Sequence, residues 1–240
     1  MKSKKIALFV LLSVVFFSYS QEEDKIVELP LTLQKGYAPF HAGFIGISPY
    51  SENEKDAWYK TYLKVSKLPE GLTDMKVGDI ETNSYQSAYQ NYLLGNITKE
   101  MYEKSQISWE WIPGTINLSE TPVKTKIAFV YGKDSDGIVK IAVDANNNLD
   151  LSDDELFIPL NVHGFSFDWN KADSLVQDYA VNVSYEAVVH NKIVPVSVPL
   201  FITYNSSSNT CRYSFPQYMT TQYEGKQIAI SSFQVCLTII

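Results

Sequence analysis

The sequence predicts a mainly β fold: an antiparallel sheet or sandwich-like domain with a short helical insertion at about residues 84–105. Several segments alternate apolar and polar side chains with the period of two that a half-buried strand requires, as in Trp58–Ser66. Turn-forming residues such as Asp134–Gly137 separate neighbouring strand-like segments. The chain is 45% hydrophobic and 13% aromatic, which is enough for one sizeable core.

The N-terminus has the features of a secretory signal peptide. Lysines cluster within residues 1–5, an uncharged apolar run spans 6–17, and residues 18–21 offer a small-x-small cleavage site. We therefore expect residues 1–20 to be removed on export, which places the mature protein in the periplasm or outside the cell. Residues 21–240 are then expected to form a single β-rich domain without a transmembrane segment.

The first part of that domain is predicted to contain strands followed by the helical insertion. Strands are expected at Ile26–Leu33, within residues 36–50 and at Trp58–Ser66. The helical insertion is indicated by tyrosines at helical spacing from Tyr85 onward, and Thr98 is expected to cap a second short helix after the Gly95 break.

Strand-like alternation returns after the insertion and continues through the rest of the chain. Ile107–Trp111 predicts a strand with Trp109 and Trp111 on one face, and Lys126–Tyr131 and Ile138–Val143 predict a hairpin. Pro195 and Pro199 favour an edge position for their strand. The further predicted strands are Leu156–Leu160, Ser166–Trp169, Gln177–Val189, Ile193–Tyr204, Cys211–Phe215 and Gln227–Ser231.

The segment Asp144–Glu155 carries the clearest chemical pattern. Oxygen-bearing residues occupy positions 1, 3, 5, 7, 9 and 12 of a twelve-residue loop, which is the spacing of an EF-hand calcium loop. Calcium is a hard cation that takes six to eight oxygen ligands, and Asp150 can supply its main-chain carbonyl. The candidate metal ligands are Asp144, Asn146, Asn148, Asp150, Ser152 and Glu155.

Two features of this loop depart from an EF-hand. Position 6, where the chain turns sharply and glycine is usual, is Leu149, so the loop either turns differently or is strained. The flanking segments are strand-like rather than helical. A metal-free turn rich in Asn and Asp is the alternative interpretation, because these residues dominate turns in general.

Charge and motifs exclude several function classes. The formal charge of −7 becomes −10 when residues 1–20 and their three lysines are removed, and Arg212 is the only arginine, so nucleic-acid binding is not expected. None of the common hydrolase or nucleotide-binding motifs occurs. His41, His163 and His190 have no motif around them, and the sequence favours a non-enzymatic protein.

The two cysteines, Cys211 and Cys236, leave two interpretations open. Export permits a disulfide between them, whereas two unpaired thiols in strands fit the sequence as well. Their separation is too large for a C-x-x-C redox motif.

The motifs Ile107–Pro113, Lys126–Gly132 and Val143–Phe157, behind a signal peptide, resemble the N-terminal region of exported TlpA/thioredoxin-like thiol-disulfide oxidoreductases of Bacteroidetes. In that family a C-terminal thioredoxin domain with C-x-x-C performs the redox chemistry, and this chain has no such motif. The resemblance implies an accessory half alone, either as a truncated product or as a stand-alone paralogue, and it assigns no catalytic residue.

Three functions follow. The first is an exported, non-enzymatic β-domain with a calcium-braced loop and an unidentified protein or envelope partner. The second is an envelope thiol oxidoreductase component that acts through Cys211 and Cys236. The third is a surface glycan-binding module that uses exposed aromatic side chains.

Overall fold

A computed structural model gives a mainly antiparallel β protein with a helical insertion, which confirms the predicted fold class. Strands account for 39% of the described residues and helices for 17%. The expected signal peptide, His41, His163 and Cys236 lie outside the described residues. None of the described helices is long and apolar enough to cross a membrane. The structure describes residues 27–40, 43–111, 114, 116–162 and 167–231.

The secondary structure elements of the described chain have the following bounds. The strands are β1 (Thr32–Lys35), β2 (Ile45–Ile47), β3 (Thr73–Glu81), β4 (Lys126–Lys133), β5 (Val139–Val143), β6 (Leu160–Asn161), β7 (Val181–Val189), β8 (Lys192–Asn205), β9 (Thr210–Ser214), β10 (Gln217–Tyr223) and β11 (Lys226–Ser231). The helices are α1 (Ser84–Leu93), α2 (Lys99–Ser108) and α3 (Ala172–Tyr179).

The strands form three sheets. One has the order β3-β4-β5, a second has the order β2-β9-β8-β6 with β7 also paired to β8, and a third has the order β1-β10-β11. All pairings are antiparallel except the short one between β6 and β8. The side chains of the first two sheets meet in the main core, so these sheets pack face to face as in a sandwich.

Strand β4 is buried on both of its faces. Ile127, Phe129 and Tyr131 point into the main core between the sheets, whereas Ala128 and Val130 belong to a smaller cluster on the other face. The two sets alternate because successive side chains of a strand point to opposite sides. The smaller cluster lies beneath the Asp144–Glu155 loop.

The predicted hairpin and helical insertion have local signals that the structure confirms. Asp134 accepts N–H groups from Asp136 and Ile138 in the β4–β5 turn, and Thr98 caps α2 by accepting the N–H of Met101. The expected edge position holds only locally: β8 is an interior strand from Phe201 onward, where β9 and β6 pair with it, whereas Pro195 and Pro199 lie in the earlier part, which pairs with β7 alone among the described strands.

The predicted strand Trp58–Ser66 is wrong. The segment contains a 3₁₀ turn at Tyr59–Thr61, and the Thr61 N–H donates to the Trp58 carbonyl. Asp56 accepts the N–H of Trp58, and Tyr62 stacks on Tyr50 with ring centroids 4.2 Å apart. Main-chain groups bonded locally are not available to a sheet.

The predicted strand Ile107–Trp111 is also wrong. Helix α2 runs to Ser108, and Glu110 then takes a positive φ of 50° that reverses the chain. The two tryptophans separate as a result: Trp111 is 6% exposed, against Tyr85 and Tyr102, whereas Trp109 is 37% exposed.

Two further boundaries differ from the prediction, and two strands were not predicted. The first residues of the predicted strand Gln177–Val189 complete helix α3, and the strand begins only at Val181. The first strand starts at Thr32 rather than Ile26, beyond Pro30, which has no N–H to donate. Strands β3 and β10 have no counterpart in the sequence prediction.

Candidate metal site

The Asp144–Glu155 loop follows β5 directly and lies over the outer face of the β3-β4-β5 sheet. The N–H of Asp144 donates to the Ala128 carbonyl and extends the pairing of β4 by one residue. Leu151 is fully buried and Leu149 partly buried against Ala128 and Val130. These leucines fix the apolar underside of the loop to the sheet, so that the polar side chains between them are held in place.

The first half of the loop is a succession of side-chain to main-chain hydrogen bonds. The buried carboxylate of Asp144 accepts the N–H groups of Asn148 and Leu149, each at 2.9 Å. Asn146 Oδ1 accepts the same Asn148 N–H at 3.0 Å, and Asn148 Oδ1 accepts the N–H of Asp150 at 2.7 Å. Asp150 Oδ1 accepts the N–H of Ser152 at 3.0 Å. The side-chain oxygens at positions 1, 3, 5 and 7 thus each accept a main-chain N–H from a residue further along the loop, and these hydrogen bonds fix its turns.

Leu149 adopts the left-handed conformation that the calcium-loop pattern normally gives to glycine. Its φ is 64°, and Asn147 two residues earlier has a φ of 57°. A left-handed conformation costs a residue with a Cβ roughly 1–2 kcal/mol. The loop therefore turns at position 6 in spite of the leucine, and the burial of that side chain against the sheet offsets part of the cost.

Neighbouring segments brace the loop from both sides. Ser66 donates its N–H to the Leu149 carbonyl at 2.7 Å, and Leu151 donates its N–H to the Lys67 carbonyl at 3.0 Å. The buried amide of Asn147 donates to the carbonyls of Lys126 and Ser184 at 3.0 and 3.1 Å. The loop is consequently joined to both of the sheets that enclose the main core.

The acidic second half of the loop is arranged differently from the predicted ligand set. Asp153 Oδ2 accepts the amide N–H groups of Asn148 at 2.9 Å and Asn146 at 3.4 Å, so this carboxylate faces the loop. Glu155, the predicted ligand at position 12, lines a neighbouring cavity of about 490 Å³ together with Asp154 and Asp178. No hydrogen bond joins Glu155 to the loop within the described residues.

Asp154 carries an unsatisfied oxygen beside this cavity. Its Oδ1 accepts the N–H of Ala145 at 3.1 Å, whereas its buried Oδ2 has no hydrogen-bond partner among the described residues. Burial, reinforced by the negative charges of Asp144 and Asp153 and opposed by the Ala145 N–H, raises the pKa of Asp154 to about 6. Negative charge is therefore crowded at this end of the loop, and Asp153, Asp154 and Glu155 form no ion pair within the described residues.

Asp150 is the carboxylate that does have a cationic partner. Lys67 Nζ lies 2.9 Å from its Oδ2, and Ser152 Oγ donates to its Oδ1 at 2.5 Å. The hydrogen bond from Ser152 and that from Lys67 lower the pKa of Asp150 to about 2. Its side chain is thus occupied, which leaves its main-chain carbonyl as the group it can offer to a metal, as at position 7 of an EF-hand.

The chemistry of the donor set decides which metal the loop suits. No group of three or more His, Cys, Asp or Glu side chains that could hold a metal ion occurs in the part of the chain that the structure describes. A cation at this loop must therefore combine carboxylate oxygens with amide and main-chain oxygens. That mixture is what calcium accepts, whereas zinc requires nitrogen or sulfur ligands in most sites.

The cysteine proposed for redox chemistry lies in the main core. Cys211 on β9 has no disulfide partner among the described residues and is almost fully buried, and burial raises the pKa of its thiol to about 12. A thiol held in its protonated form is a poor nucleophile, because the thiolate is the reactive species. Cys236 lies outside the described residues, so its pairing with Cys211 stays a prediction.

Comparison with known proteins gives no relative from which a function could be transferred. No family model, no curated protein and no solved structure matches this chain.

Proposed function

We propose that the protein is an exported, non-enzymatic β-domain whose Asp144–Glu155 loop binds a structural calcium ion. The observation that carries the proposal is the hydrogen-bonded arrangement of Asp144, Asn146, Asn148 and Asp150, at the spacing of a calcium loop and with Leu149 turned as the glycine of that pattern is. The resemblance to the N-terminal region of exported thioredoxin-like proteins supports an accessory role beside an envelope partner.

The proposed ligands are Asp144, Asn146, Asn148, the Asp150 carbonyl and Ser152, with Asp153 as a carboxylate that the sequence pattern did not nominate. Asp153 already approaches the loop through the amides of Asn146 and Asn148. Glu155 remains a proposed ligand only if its side chain turns from the neighbouring cavity towards the loop. Bound calcium would neutralise the crowded carboxylates and hold the two halves of the loop together.

The test is a thermal melt in EGTA and in millimolar calcium. Extracellular calcium modules bind with Kd values of roughly 10⁻⁴–10⁻³ M, and a concentration of about ten times Kd stabilises by on the order of 1.4 kcal/mol. For a chain of this size we expect the Tm to rise by about 3–6 °C. An identical Tm in EGTA and calcium would contradict the proposal.

Three variants locate the effect. Asp144→Ala is expected to abolish the calcium response, but it also removes two main-chain hydrogen bonds and so lowers stability in EGTA. Asp153→Asn preserves the shape of an exposed side chain, so we expect it to weaken the calcium response without lowering the stability in EGTA. Asp136→Asn, in the adjacent β4–β5 turn, is the matched control and should respond like the unmodified protein.

A further inference from the structure

A cleft at the junction of β2, β3 and α1 combines aromatic and charged side chains. It has a volume of about 540 Å³, within the range of small-molecule sites, and Tyr85, Trp109, Tyr213 and Glu81 line it. A second cavity of about 200 Å³ adjoins it and shares Glu81 and Trp109. The two cavities therefore lie side by side, and we call them together the depression; none of the residues that line it belongs to the Asp144–Glu155 loop.

Two tryptophans border this depression with exposed rings. Trp109 is 37% exposed and Trp58 is 38% exposed, and both line the smaller cavity. The ring of Trp109 packs edge-on against the ring of Tyr85, with ring centroids 5.7 Å apart. A large apolar ring that is fixed in place and left partly exposed beside a cavity offers a flat surface on which a ligand can stack.

The two carboxylates of the cleft, Asp79 and Glu81, differ in whether they already accept hydrogen bonds from the protein. Asp79 accepts the Tyr50 hydroxyl at 2.7 Å and Lys126 Nζ at 3.0 Å, and is therefore satisfied. Glu81, two residues along the same strand, has a side chain that is 31% exposed and approaches Lys126 no closer than 3.9 Å. No hydrogen bond to the Glu81 carboxylate occurs among the described residues, so this carboxylate can accept hydrogen bonds from a ligand.

We infer that this cleft binds a neutral saccharide, with the ring of Trp109 stacked on the sugar face and Glu81 accepting sugar hydroxyls. A sugar has an apolar C–H face and a rim of hydroxyls, which match an aromatic ring beside a carboxylate. Asp79, Glu81 and Lys126 together carry one net negative charge, so a cation is the competing ligand, and choline tests for it. An anionic ligand would meet the net negative charge of these three groups.

The inference goes beyond the proposed calcium site, and its test does not depend on that site. The purified protein is applied to an array of neutral cello-, xylo-, manno- and laminari-oligosaccharides, with choline as a cationic probe. The oligosaccharide that binds best is then titrated by calorimetry into the protein and its variants, in calcium and in EGTA. Binding under both conditions separates the cleft from the metal loop.

Trp109→Ala and Glu81→Gln are each expected to weaken saccharide binding by about tenfold or more, which corresponds to the loss of about 1.4 kcal/mol or more from one stacking or charged contact. The matched control is Tyr223→Ala on β10, a 39% exposed aromatic that does not line the cleft, and it should bind normally. Circular dichroism verifies that the variants are folded. Absence of saccharide binding, binding of choline alone, or unchanged affinity in Trp109→Ala would each overturn the inference.

Discussion

On each face of the β3-β4-β5 sheet, packing determines which residue type can occupy one particular position. Gly78 on β3 has its Cα against the ring of Phe129, so that an added Cβ would lie 2.7 Å from a ring carbon. On the outer face the side chain of Leu149 is retained at a position where the backbone alone would favour glycine. Packing therefore requires glycine at position 78, and it favours leucine at position 149 in spite of the left-handed backbone there.

Gly78→Ala is therefore expected to destabilise the protein by about 1–3 kcal/mol, which is the usual cost of forcing extra volume into a packed core. The matched control is Gly46→Ala on β2, because no atom lies within 4 Å of the position of its added Cβ. Urea unfolding measures both free energies. Equal stability of the two variants would show that the Phe129 ring moves aside without cost.

The buried thiol of Cys211 allows a prediction about reactivity. With its pKa raised to about 12 by burial, the native thiol should react with Ellman's reagent at pH 8 only as fast as the protein unfolds. The protonated thiol contributes stability below the unfolded pKa of about 8.5, and that contribution is lost as the pH rises towards the folded value. Rapid modification of Cys211 in the native protein, located by peptide mapping, would instead favour the thiol oxidoreductase hypothesis.

At the scale of elements, helix α1 holds the irregular segment 119–123 by hydrogen bonds from two glutamine side chains on one face of the helix. Gln86 donates to the Ser119 carbonyl and accepts the Ser119 N–H, both at 2.8 Å, and Gln90 does the same with Val123 at 3.1 and 3.0 Å. Each amide thus replaces a strand partner for the segment that leads into β4. Spacing of i and i+4 places both amides on the same side of the helix.

Gln86→Ala should cost about 1–3 kcal/mol, because it removes a fully buried side chain and leaves the partly buried N–H and carbonyl of Ser119 without their partner. Gln222→Ala on β10 removes an exposed glutamine and is expected to change the stability by less than about 0.5 kcal/mol. Thermal denaturation compares the two. Equal melting temperatures would mean that water replaces the amide without loss.

Elements with local signals were predictable from the sequence, and elements that depend on distant partners were not. The β4–β5 hairpin contains its own Asp134 turn, and α2 contains its own Thr98 cap. Strand β3 mixes charged residues with Gly78 and is defined by its pairing with β4, which lies 45 or more residues later. Trp58–Ser66 has strand-like alternation, but main-chain groups of the segment bond to one another in a local 3₁₀ turn instead.

The candidate metal site likewise has a part that the sequence predicted and a part that it did not. The spacing of oxygen-bearing residues predicted the turns of the first half of the loop, since each side chain bonds a main-chain N–H close to it in sequence. The approach of Asp153 to the asparagine amides was missed, because position 10 is not a ligand position in the pattern. The ion pair between Lys67 and Asp150 joins residues far apart in sequence, and no local signal announces it.

At the scale of the whole molecule, β4 is the element on which the other layers depend. Its inner side chains fill the space between the sheets, and its outer side chains support the metal loop. The β1-β10-β11 sheet differs, because Leu33, Ile228 and Ile230 all remain substantially exposed. Fewer buried contacts predict local opening with a lower free energy.

Hydrogen exchange in the native state should therefore protect the amides of β4 most strongly and those of β1 and β11 least. If residues 21–240 form one cooperative domain, saturating calcium should also slow exchange throughout β4 and β5, because the loop is bonded to Lys126, Ser184 and Lys67. Exchange is measured by mass spectrometry of peptides in EGTA and in calcium. Slowing confined to peptides of the loop itself would show that the loop opens independently, and that calcium does not stabilise the global fold.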